Sequence, residues 1–143
     1  MTYISAELRR QVIERAGSCC EYCRMMVNIR LLPFEIDHII SEKHAGATIS
    51  ENLCLACYRC NSYKGSDIAS TDPLTGAATY RFHPRQQVWE AHFQLDEAIL
   101  KPLSPEGRVT VFLLRFNVAS QIAQRKALIM EKRYPCTPPR SNE

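Results

Sequence analysis

Along the first sixteen residues, apolar side chains return at helical spacing: Leu8, Val12 and Ala16, with Ile13 beside them. That period describes a helix with one buried face. Ser5 supplies an N-cap and Gly17-Ser18 a stop, so the pattern predicts a helix over 5–16. The period then changes. Phe34-Glu35-Ile36-Asp37-His38-Ile39-Ile40 alternates apolar and polar positions, the mark of a half-buried strand, and Asn52-Leu53-Cys54-Leu55-Ala56 reads as a second one. The polar stretch 41–51 between them is a loop, and a short helix is predicted to start at Asn61, with Asn61 near its cap. A turn at 71–76 marks a change of character. Beyond it come short strands around 79–83 and 92–95. Ser104-Pro105-Glu106 opens a helix running to Phe116. A last helix spans 119–133, with Ile122, Leu128 and Ile129 on its packed face. Trp89 and Phe93 are assigned to the core. Pro135, Pro138 and Pro139 end the order. The expected organisation is therefore 1–70, an extension over 71–134 packed on it, and a loose tail over 135–143.

Composition narrows the class without naming a chemistry. At 143 residues, 45% hydrophobic and 23% charged, the chain suits one soluble globular unit with a core of its own. No run of about 18 apolar residues is present, which argues against a membrane-spanning helix. The start Met1-Thr2-Tyr3-Ile4-Ser5-Ala6-Glu7 lacks a secretory pattern, so the cytoplasm is the expected location. Thiols stay reduced there, and seven cysteines point to metal ligands before disulfides. The net charge of +3 hints weakly at an anionic partner. Residues 1–70 balance at eight basic and eight acidic groups, while 71–143 carry ten against seven.

The cysteines carry the first specific signal. Cys20-x-x-Cys23 and Cys57-x-x-Cys60 form two knuckles that can surround one tetrahedral zinc, and both strands fit between them. Four thiolates leave no open coordination position, so such a zinc is structural. Cys19 competes with Cys20 as ligand, and the two-residue spacer to Cys23 favours Cys20. Cys54 is a core residue of its strand, and Cys136 is left over.

The stretch from Cys20-Glu21-Tyr22-Cys23 through Asp37-His38-Ile39-Ile40 and Asn52-Leu53 to Cys57-Tyr58-Arg59-Cys60-Asn61-Ser62-Tyr63-Lys64 resembles the HNH endonuclease family. The resemblance implies an α+β fold: a ββα-metal finger stapled by the structural zinc, flanked by an N-terminal helix and a mixed C-terminal extension ending in two helices. It implies hydrolysis of phosphodiester bonds in DNA, with RNA an open alternative and no membrane partner. His38 is then the general base, a role that suits a side chain titrating near neutrality. Asp37 and Asn61 hold a catalytic magnesium or manganese ion, both being hard oxygen donors. Asn61 stands where many members carry histidine, and a helix cap is its other reading. Asn52 braces the loop that positions His38. Lys64 neutralises a phosphate oxygen, with Arg59, His44 and Lys43 as weaker candidates for nucleic-acid contact. Where the family often has a glycine pair, this chain has Ala45-Gly46.

His83, Arg85 and His92 in the extension are candidates for nucleic-acid contact or for buried and capping roles. Arg125, Lys126, Lys132 and Arg133 form a basic end on the last helix. Two competing functions remain beside a nuclease. One is a zinc-stabilised module that binds nucleic acid without turnover; the other is a protein-interaction finger. A monomer suffices for nicking, and neither a monomer nor a dimer is specified by the sequence.

Overall fold

A computed structural model describes residues 3–28 and 32–139 as a mixed α and β fold with small antiparallel sheets. Helix α1 (Ala6–Ala16) starts on Ser5, whose Oγ accepts the Leu8 amide at 3.1 Å, and stops on Gly17 at φ 61°. Val12 and Ala16 are fully buried, and Leu8 and Ile13 pack beside them. Arg15 reaches from this helix to the carbonyls of Ser50 and Leu53, at 3.2 and 2.8 Å.

Strand β1 (Phe34–His38) pairs antiparallel with β2 (Leu53–Cys57), from Phe34 opposite Cys57 to His38 opposite Leu53. β1 ends two residues before the alternating pattern does. The reason is local: both backbone groups of Ile40 bond to the Asn52 side chain instead of a neighbouring strand. The 41–51 loop contains two short 3-10 turns, Glu42–His44 and Ser50–Asn52.

Helix α2 (Tyr58–Lys64) begins directly after β2, three residues before the predicted start. Its cap is Cys57, whose Sγ accepts the Cys60 amide at 3.5 Å. Asn61 therefore lies inside the helix and is not a cap, because the cysteine knuckle itself turns the chain into α2.

The hairpin of β3 (Ala69–Thr71) and β4 (Ala78–Tyr80) crosses the boundary drawn at residue 70. Its turn is built on Asp72, which accepts the Leu74 amide and the Thr75 hydroxyl, and Arg108 clamps both carboxylate oxygens at 2.9 and 2.8 Å. A second hairpin joins β5 (Phe93–Asp96) to β6 (Ile99–Pro102), a strand the hydrophobic pattern did not predict. Ser104 caps α3 (Pro105–Leu113), and α4 (Ala119–Met130) ends the regular structure. No helix is long and apolar enough to cross a membrane among the described residues.

The two halves share one core. Phe82, Trp89, Phe93 and Phe116 stack with centroids 5.1–5.6 Å apart, and the Trp89 indole donates to the Tyr22 carbonyl at 2.8 Å. Leu128 and Ile129 of α4 pack against this core, as expected.

Two expectations are overturned here. The tail is not loose as far as residue 139. Tyr134 Oη donates to the Cys23 carbonyl at 2.8 Å, the Cys136 amide bonds the Arg24 carbonyl, and Cys136 forms a disulfide with Cys19. The two knuckles stay free of disulfides, but the expectation of metal ligands before disulfides fails for Cys19 and Cys136, because the C-terminal segment lies along residues 18–24. Residues 140–143 of the tail lie outside the described residues. Arg125, assigned to a basic end, is 1% exposed; its side chain turns into the core while Lys126, Lys132 and Arg133 stay exposed.

Candidate functional site

The sulfur atoms of Cys20, Cys23, Cys57 and Cys60 all lie within 4.8 Å of one another, and all four residues are buried. Cys23 and Cys57 are 3.9 Å apart at sulfur. Zinc–sulfur bonds of about 2.3 Å in a tetrahedron require sulfur–sulfur edges of about 3.8 Å, so the cluster has the geometry to hold zinc. Hydrogen bonds from Cys20, Cys23 and Cys60 push the Cys57 thiol far down, and the same network, led by Cys20, pushes Cys23 and Cys60 well up. Cys20 joins this cluster rather than Cys19, which is in the disulfide.

His38 closes β1 and is partly exposed, with its side chain at 18%. Its Nε2 lies 2.9 Å from the Thr48 hydroxyl and 3.6 Å from a Glu42 carboxylate oxygen, both in the loop that follows. Asp37 points the other way, as strand alternation requires. It is buried: Oδ1 pairs with Lys64 Nζ at 3.1 Å, and Oδ2 accepts the Tyr22 hydroxyl at 2.7 Å. Burial, followed by Cys54 and Asp37, pushes the Tyr22 phenol well above its ordinary value, which keeps it a donor. The Cys54 thiol, 3.7 Å from Oδ2, is likewise pushed up by burial first and Asp37 second.

Lys64 is 1% exposed and has a different job from the free phosphate-binding cation expected of it. Besides Asp37, its ammonium donates to the carbonyls of His38 and Gly65, each at 3.1 Å. It locks α2 to the end of β1. Asn61 is half-buried on α2, and its side chain makes no hydrogen bond among the described residues. Arg59 is also engaged. It donates to the side-chain oxygens of Gln121 and Gln124 on α4, at 2.8 and 2.5 Å, and so ties α2 to the extension. His44 and Lys43 are exposed on the loop beside Glu42.

Asn52 braces the loop by three hydrogen bonds of 2.9 Å. Its Oδ1 accepts the Ile40 amide, and its Nδ2 donates to the carbonyls of Ile40 and Ala47. The loop closes so tightly that a Cβ on Gly46 would stand 1.7 Å from the Ile40 oxygen. Ala45 next to it takes the left-handed conformation at φ 65°, one that favours glycine.

The extension's three candidates are all occupied. Arg85 pairs with Glu21, whose other oxygen accepts the Leu55 amide, and burial lowers the Arg85 pKa to about 10. His83 Nδ1 accepts the Arg85 and Gln86 amides, and burial, helped by Arg81, pushes its pKa down. His92 Nδ1 meets the Ser104 hydroxyl at 2.6 Å.

Several residues around the site escaped the sequence reading. Tyr22, Glu42 and Thr48 are ordinary polar residues until the fold gathers them. Arg81 is another. It donates to the Ile39 carbonyl and lies 5.7 Å from the Tyr22 ring, fastening the extension behind β1. Nothing in its sequence neighbourhood marks it.

The family model described as HNH endonuclease matches residues 20–67. No curated protein and no solved structure matches the chain. The matched interval begins on the first knuckle cysteine and ends just beyond Lys64. The cysteine cluster, the Asp37–His38 strand, the Asn52 clamp and helix α2 are thus the part of the chain that matches the HNH endonuclease family.

Proposed function

We propose that the protein is a metal-dependent endonuclease that hydrolyses phosphodiester bonds in DNA, with His38 as the general base on a ββα finger stapled by zinc. The observation that carries this reading is the setting of His38. It is a partly exposed histidine at the mouth of a rigid loop, held at Nε2 by Thr48 and Glu42. With Nε2 engaged, Nδ1 is the nitrogen left to take a proton from the attacking water. Asn52 and Gly46 fix the loop that supplies Thr48 and Glu42, and so act through His38.

Asp37 and Asn61 would hold a divalent ion, which when bound supplies Lewis-acid stabilisation of the phosphate and the leaving oxygen. Their donors fit a hard ion: a carboxylate with lone pairs beyond those used by Lys64 and Tyr22, and an amide oxygen with no hydrogen-bond partner among the described residues. Lys64 already neutralises Asp37, so affinity for magnesium or manganese is weak until a phosphate adds its own charge. With Lys64 and Arg59 engaged, the exposed Lys43 and His44 are the proposed phosphate contacts beside His38.

The second reading, a module that binds nucleic acid without cutting it, draws support from the buried Asp37–Lys64 pair, in which the carboxylate already has a cationic partner. One assay separates the two. Plasmid DNA and single-stranded RNA are incubated with the protein plus magnesium or manganese, with and without chelator. Cation-dependent cutting of DNA supports the nuclease, and cutting of RNA alone reassigns the substrate. Binding of either without cutting favours the module.

A further inference from the structure

A groove of about 820 Å³ lies where helix α2 meets the C-terminal end of α3, and the reaction proposed above makes no use of it. Tyr63 of α2, Pro73 of the β3–β4 turn, Phe112 of α3 and Val118 before α4 line it. Phe112 is 67% exposed, and Tyr63 and Val118 are exposed beside it. Grouped apolar side chains left to water in this way mark a surface that something covers.

The charge of the groove selects what covers it. Two arginines line it, and no carboxylate does. Arg108 is spent on both oxygens of Asp72. Arg115 is not: it makes no ion pair among the described residues, and its guanidinium lies 4.7 Å from the centroid of the Tyr63 ring. Arg115 follows the C-cap Leu114 and takes φ 53°, at the place after a helix where glycine is the usual occupant. A guanidinium thus stands where the backbone alone would favour glycine. Exposed aromatic rings beside an unpaired guanidinium suit a planar base joined to a phosphate. The groove also opens on the helix that carries the candidate site. Tyr63 lies between Asn61 and Lys64, and Lys64 holds the His38 carbonyl at 3.1 Å.

We infer that this groove receives an unpaired base of the DNA strand beside the cut, stacked against Tyr63 and Phe112, with Arg115 on its phosphate. A base inside a duplex is covered by its neighbours and offers no free face, whereas an unpaired base does. The inference rests on the nuclease reading and narrows its substrate to DNA with unpaired nucleotides next to the cleaved bond.

The test is binding of a short labelled oligothymidylate to the full chain supplied with zinc. Fluorescence anisotropy reads it without added magnesium or manganese, so that no strand is cut. Phe112→Ala is expected to weaken the single strand by about 5- to 100-fold, with no loss on a duplex or on an abasic strand of the same length. Arg115→Gly should weaken the single strand and lower the slope of log affinity against log salt by about 0.7, the share of one phosphate contact. Its melting temperature should stay the same or rise, because glycine suits that backbone. Unchanged single-strand affinity in both variants, or the same loss on single strand and duplex, overturns the inference. If the wild type still nicks plasmid in that case, the groove is an acidic protein partner's and the nuclease reading stands. A chain that neither binds nor cuts DNA sinks both.

Discussion

Gly46 and Asn52 set the conformation on which the candidate base depends, and each makes a sharp prediction. A methyl group on Gly46 would collide with the Ile40 carbonyl, which is backbone and cannot step aside. Gly46→Ala is therefore expected to abolish cleavage and lower the melting temperature. Ala45→Gly, at φ 65°, should be tolerated or stabilise by about 1 kcal/mol. Full activity in Gly46→Ala would show that the loop does not position His38. Asn52→Ala removes three hydrogen bonds and strands the Ile40 amide, a loss of about 2–4 kcal/mol measured by denaturant unfolding. Lys64→Met leaves the buried Asp37 carboxylate without its cation and should cost about 3–5 kcal/mol, far more than an exposed lysine would. The role of Asn52 was legible in the sequence as a brace. The role of Lys64 was not drawn from it, although its position four residues after the buried Cys60 places both on one helix face. Periodicity relative to a metal ligand carries more information there than the residue type does.

At the scale of elements, β1, β2 and α2 are short and meet at the cysteine cluster, so a zinc ion held there would dominate their stability. Chelation is expected to melt α2 and the β1–β2 pair, consistent with the roughly 10–16 kcal/mol that comparable sites contribute. Circular dichroism before and after chelation reads this directly, and an unchanged spectrum would argue against a structural metal. The β3–β4 hairpin hangs on a different device. Arg108 holds the Asp72 carboxyl well below the usual carboxylate range. A depressed carboxyl contributes stability above its unfolded value and loses it as pH falls towards the folded one. Arg108→Met should therefore lower the melting temperature at pH 7, with the gap to wild type narrowing below about pH 4. A gap independent of pH would mean that Arg108 acts by packing alone.

The strands and helices with clear periodicity, α1, β1 and β2, were legible in the chain. The start of α2 was not, because a cysteine sulfur does the capping that Asn61 was expected to do. β6 was missed because Ile99-Leu100-Lys101-Pro102 is too short to show a period and ends on proline. Its pairing is decided by β5 across the hairpin.

The whole molecule is closed by contacts that join residues far apart in the chain, and such contacts leave no local signature. The Cys19–Cys136 disulfide spans 117 residues and fastens the C-terminal strap to the end of α1. Cys136→Ser, or reduction of the wild type, is expected to cost about 2–4 kcal/mol in denaturant unfolding without displacing zinc from the four cluster cysteines. Equal stability in oxidised and reduced protein would mean that the strap holds by its hydrogen bonds alone. Trp89 and Arg81 likewise bind the extension to the first seventy residues, through the Tyr22 and Ile39 carbonyls that no sequence pattern identifies. The chemistry proposed for this assembly turns on one side chain. The most direct measurement is the rate at which wild type and His38→Ala nick supercoiled plasmid with magnesium or manganese, at matched zinc content. If His38 is the base, the wild type nicks and the variant is slower by about 10²- to 10⁴-fold. Equal rates in the two proteins would contradict it.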